Sequence, residues 1–78
     1  MVLDKRNPPL VLQIEDRLSQ EMAEAEQKAW DSLSRYKFWM FGYWAAMWVH
    51  LNHISGQNKP NPFQSLVKTA RNHLLSRE

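Results

Sequence analysis

"DSLSRYKFWMFGYWAAMWVHL", residues 31–51, decides the fold. Two readings compete for it. Ser32 or Ser34 could cap a new helix after a turn, or one helix could run straight through from the polar half of the chain into the aromatic half. The next strong breaker is "SGQNKPNP", residues 55–62. There Gly56 suits a helix C-terminus and Pro60 cannot continue a helix.

Periodicity favours the straight run. Val11, Ile14 and Leu18 are followed by Met22, Ala25 and Ala29, then by Leu33, Tyr36 and Met40, then by Trp44, Met47 and Leu51. Each triplet is spaced 3 and 4, each starts eleven residues after the last, and every position is apolar or aromatic. Such a repeat, about 3.67 residues per turn, keeps a stripe on one side of a helix. A turn at residue 32 would reset the phase. The expectation is therefore one long helix over about 8–55, roughly 70 Å in length, opened by Asn7 as its N-cap and Pro8 at its first position.

"NPFQSLVKTARNHLL", residues 61–75, repeats that opening with Asn61 and Pro62. It predicts a short return helix over about 62–76 with Phe63, Leu66, Val67, Ala70 and Leu74 as its apolar stripe. Glu24–Lys28 and Asp31–Arg35 are acid-before-base pairs at the helical spacing. The fold class is all-α. Residues 1–7 read as a flexible N-terminus, and residues 8–78 as one helical-hairpin domain that completes its bundle by homo-oligomerisation.

A chain of 78 residues buries only about 60% of the surface its unfolded form exposes, so it needs outside support. The absence of cysteine excludes disulfides and thiolate zinc sites. It also suits a reducing cytoplasm, and the opening "MVLDKRNPP" lacks the apolar run of a secretory signal. The net charge of +2 is unevenly spread. Between Leu10 and Ser34, Glu15, Asp16, Glu21, Glu24, Glu26 and Asp31 face only Arg17 and Lys28, and from Arg35 onward the balance is basic. Opposite ends of opposite sign favour self-association or an anionic partner.

From Phe38 to Val49 the helix is apolar all round, which means cover on every side. The block is shorter than the about 20 residues a membrane span requires, and an interfacial helix would keep a polar face. A protein surface is the better cover. The return helix shields only a sector of about 100°, which leaves Trp30, Tyr36, Phe38, Trp39, Phe41, Tyr43, Trp44 and Trp48 as interface candidates. Aromatic side chains bury roughly 150–250 Å² each. The expected supplier is another copy of the chain, with a two-fold dimer favoured. Gly42 and Ala46 form a flat spot for close approach. Trp30 and Trp39 lie off the stripe and are the first choices for residues that face outward to a foreign partner.

No Gly-rich phosphate loop and no nucleophile constellation is present, so the chain reads as a non-enzyme without cofactors. His50, His53 and His73 read as polar residues near helix ends, where a cation suits the dipole, rather than as a metal site. Lys59, Lys68, Arg71 and Arg77 are the candidate phosphate contacts for an alternative role as a nucleotide or nucleic-acid binder.

The stretch "AWDSLSRYKFWMFGYWAAMWVHLNHISG…NPF", residues 29–63, resembles small uncharacterised helical proteins encoded by bacteriophages and prophages. The resemblance lies in overall character and not in a defined motif, so it carries over no functional residue. It implies a host-takeover or anti-defence protein, an inhibitor or adaptor that binds a host protein.

Overall fold

Arg35, Tyr36 and Lys37 are not helical. In the computed structural model, which describes residues 10–76, the expected long helix is two. Helix α1 spans Leu10–Ser34, α2 spans Phe38–Ser55 and α3 spans Gln64–Leu75. The described residues are all-α. The expected N-cap Asn7–Pro8 and the segment 1–7 lie outside them.

The break is a helix C-cap followed at once by a reverse turn. Tyr36 takes the left-handed conformation, with φ of 62°. Its N–H donates to the Leu33 carbonyl at 3.1 Å, and the Lys37 N–H donates to the Ser32 carbonyl at 2.9 Å. This pair of bonds is the Schellman arrangement, with Tyr36 where glycine is usual. Lys37 follows at φ −86° and ψ 74°, and the Phe38 N–H donates to the Tyr36 carbonyl at 3.0 Å. That is an inverse γ-turn. Two tight turns in succession reverse the chain within three residues.

The eleven-residue stripe failed as evidence for continuity for a specific reason. Three residues of turn are close to the 3.6 of a helical turn, so the spacing of apolar residues carries across the break. Beyond the turn every position is apolar, and any phase finds apolar residues. The seam in α1 is Met22, Ala25, Ala29 and Ser32, as the stripe predicts except at its end. In α2 the most buried residues are Trp48 and Leu51, with Phe41, Trp44, Ala45 and Met47 packed beside them. Small Ala25 and Ala29 let the bulky side of α2 lie close to α1.

Helix α2 is the shorter arm, so among the described residues the first turns of α1 have no helix opposite them. Ser55 Oγ, at the end of α2, reaches Met22 Sδ at 4.0 Å. Leu10, Val11, Leu12 and Ile14 therefore stand exposed. Of the two expected ion pairs, Asp31–Arg35 forms at 3.4 Å. Glu24–Lys28 does not, because the Lys28 ammonium lies over the Trp44 ring, 4.5 Å from its centroid.

Gly56 ends α2 as expected, with φ of 70° and its N–H on the His53 carbonyl. The following segment is pinned at three points. Gln57 Nε2 donates to Ser19 Oγ at 3.0 Å. The Asn52 carboxamide pairs with the Lys59 backbone, accepting at 2.9 Å and donating at 3.0 Å. Phe63 is buried between Trp30, at 5.0 Å between ring centroids, and Phe41, at 5.4 Å. The opening pair Asn61–Pro62 lies two residues ahead of its expected place, with Phe63 at the N-cap position. Asn61 Oδ1 accepts from the Phe63 N–H at 2.7 Å, and the helix begins after Phe63.

Helix α3 departs from the expected docking. It has no buried residue, and none of its Cα atoms comes within 8 Å of a Cα in α1 or α2. Phe63, with half-buried Leu66 behind it, is its attachment to the hairpin.

Candidate functional site

The turn at Tyr36 and the packing of α2 sort the aromatic block into two sets. Phe41, Trp44 and Trp48 recur every three to four residues, so they share the side of α2 that meets α1. Trp48 is only 4% exposed. Trp30, expected to face outward, is half-buried instead. The returning loop sets Phe63 against its ring, and its indole N–H donates to Glu26 at 3.2 Å. Trp48 lies in the core of a single chain, and Trp30, Phe41 and Trp44 pack against that core while staying partly exposed. The expectation that all eight aromatics await another chain is corrected accordingly, since α1 and the loop cover half of them.

Tyr36, Phe38, Trp39 and Tyr43 form the other set. Trp39 is 88% exposed and Tyr36 81%, and more than half of Phe38 and Tyr43 is also open. Phe38, Trp39 and Tyr43 surround Gly42, where a Cβ would meet nothing within 4 Å. The missing side chain leaves a shallow recess walled by rings. Tyr36 meets the edge of Phe38 with centroids 6.2 Å apart, which extends the patch across the turn. Arg35 and exposed Lys37 give it a positive border. Aromatic rings with basic neighbours are the residue types that dominate energetic centres of protein interfaces.

A second apolar feature lies between α2 and α3. Phe41, Ala45, Ala46 and Val49 form one wall of an open groove of about 340 Å³, and Phe63, Leu66, Val67 and Ala70 form the other. Asn61 is its one polar lining residue, and that side chain's oxygen is already taken by Phe63. The signal for this groove was the α3 stripe itself, which was expected to dock on the aromatic half and stands off from it.

The expected phosphate contacts are only partly brought together. Lys68 and Arg71 share a surface with Asn61, Gln64 and Val67. Lys59 sits apart, beside Ser19, Glu26 and Trp48, and Arg77 lies outside the described residues. His50, His53 and His73 are all exposed. Among the described residues, no three histidine or carboxylate side chains gather closely enough to hold a metal ion. No described helix is long and apolar enough to cross a membrane.

Compared with protein-family models, curated proteins and solved structures, the chain matches none of them.

Proposed function

We propose that the chain is a non-enzymatic protein-binding module, and that its recognition surface is the patch of Tyr36, Phe38, Trp39 and Tyr43. One observation carries the reading: Trp39 is 88% exposed although it sits at the start of a helix whose opposite side is buried. Covering that indole and its burial of roughly 150–250 Å² is worth on the order of 4 kcal/mol at about 25 cal/mol per Å². A partner that supplied a complementary apolar knob for the Gly42 recess would gain most of this. The resemblance of residues 29–63 to phage and prophage proteins favours a host protein as that partner, bound in the cytoplasm and inhibited or redirected by the contact.

The test is capture of partners from the native cell by the tagged full chain, followed by direct binding of the recovered protein. Trp39→Ala should weaken that binding at least about tenfold, the equivalent of 1.4 kcal/mol, with the circular dichroism of the helices unchanged. Equal binding by wild type and variant would remove the patch from the proposal. Flotation of the chain with anionic vesicles would instead move the aromatic patch to a lipid surface.

A further inference from the structure

We infer that two copies of this chain pair by exchanging the first turns of α1, each seated in the other's groove between α2 and α3. The inference stands on surfaces other than the Trp39 patch.

The occupant is argued from three features. The first is an unmatched knob. Because α2 ends opposite Met22, Val11 is 64% and Ile14 52% exposed. They stand three residues apart on one side of α1, in line with Leu18. The second is an unmatched hole. The groove is apolar on both walls, with Asn61 as its one polar lining residue and that side chain's oxygen already engaged by the Phe63 N–H. It therefore suits aliphatic side chains such as those two.

The third is charge. Between Leu10 and Ser34 six carboxylates face only Arg17 and Lys28, and from Arg35 to Ser76 there is no carboxylate at all. Lys68 and Arg71 stand next to the groove wall at Val67. Among the described residues, the ion pairs are Arg17–Glu21 and Arg35–Asp31, so neither Lys68 nor Arg71 has an acid of its own. An incoming α1 brings Glu15, adjacent to Ile14, to that rim. Acid on the knob and base on the hole steer the two together and disfavour groove-to-groove contact between like charges. A two-fold arrangement lets both tips and both grooves be covered in one closed pair.

The experiment uses the full chain. Sedimentation should show a concentration-dependent dimer. Val11→Asp with Ile14→Asp should weaken it at least about tenfold, since an unpaired carboxylate would enter an apolar groove. Both positions are exposed in the single chain, so the helices should stay folded by circular dichroism. A nitroxide on Leu12→Cys in unlabelled chains, mixed with isotope-labelled chains, should broaden the amide resonances of Val67 and Ala70. Trp39→Ala should leave the dimer intact, which separates this pairing from the recognition patch. A monomer at every concentration would overturn the inference. So would broadening centred on Trp39 and Tyr43, or a dimer that tolerates both aspartates.

Discussion

Tyr36 adopts φ of 62°, a conformation that disfavours any side chain with a Cβ by roughly 1–2 kcal/mol. Glycine there would keep both carbonyl-capping bonds without that strain. Tyr36→Gly should therefore raise the free energy of unfolding by about 1 kcal/mol in chemical denaturation, after allowance for its lost edge contact with Phe38. A less stable variant would show that the ring, and not the backbone, holds the turn. A strained tyrosine at an exposed turn agrees with a role for that ring in binding. The same residue explains why the turn was hidden in the sequence. The usual punctuation for a helix end is glycine or asparagine, and "SRYK" has neither. Trp39 was legible as an outward residue because it falls off the stripe. Trp30 was misread because its cover arrives from Phe63, thirty-three residues later, and no local pattern announces a loop that returns.

At the scale of the elements, helix identity was legible and helix number was not. The seam of α1 follows the 3,4 spacing through Ala29, and Gly56 ends α2 where its backbone freedom is used. The uniform apolarity of α2 erased the phase information that would have exposed the reversal at residues 35–37. The two architectures differ in a single distance. A continuous rod would place Gln20 and Ile54 roughly 50 Å apart, at 1.5 Å per residue. The hairpin instead joins the neighbourhoods of these residues through Ser55–Met22 and Gln57–Ser19. Spin labels at positions 20 and 54 should therefore report less than about half the rod distance by pulsed dipolar spectroscopy. A peak near the longer value would restore the rod. Helix α3 was predicted almost in full from its stripe and its Asn–Pro opening, yet its docking was not. Its apolar residues find a gap where the expectation placed a surface.

At the scale of the whole molecule, the described residues form a two-helix hairpin with a third helix held at one point. Phe63 is that point, since α3 itself has no fully buried residue and only half-buried Leu66 packs beside Phe63. Truncation of a buried phenylalanine removes about 3–5 kcal/mol, and a chain of this size is stable by roughly 4–12 kcal/mol in total. Phe63→Ala should thus leave a weakened hairpin whose α3 amides exchange with solvent far faster than those around Ala25 and Ala29. Uniform loss of protection in all three helices would mean that the loop and the hairpin fold as one unit. The segregation of the aromatics has an optical consequence as well. The four indoles occupy graded surroundings: Trp39 faces water, Trp30 and Trp44 are half-covered by Phe63 and Lys28, and Trp48 is enclosed. Emission from the native chain is a sum of separable colours. Capture of a partner at the turn shifts the reddest of them toward blue, release of α3 alters Trp30, and opening of the hairpin exposes Trp48. The protein carries its own fluorescent reporters for each of its joints.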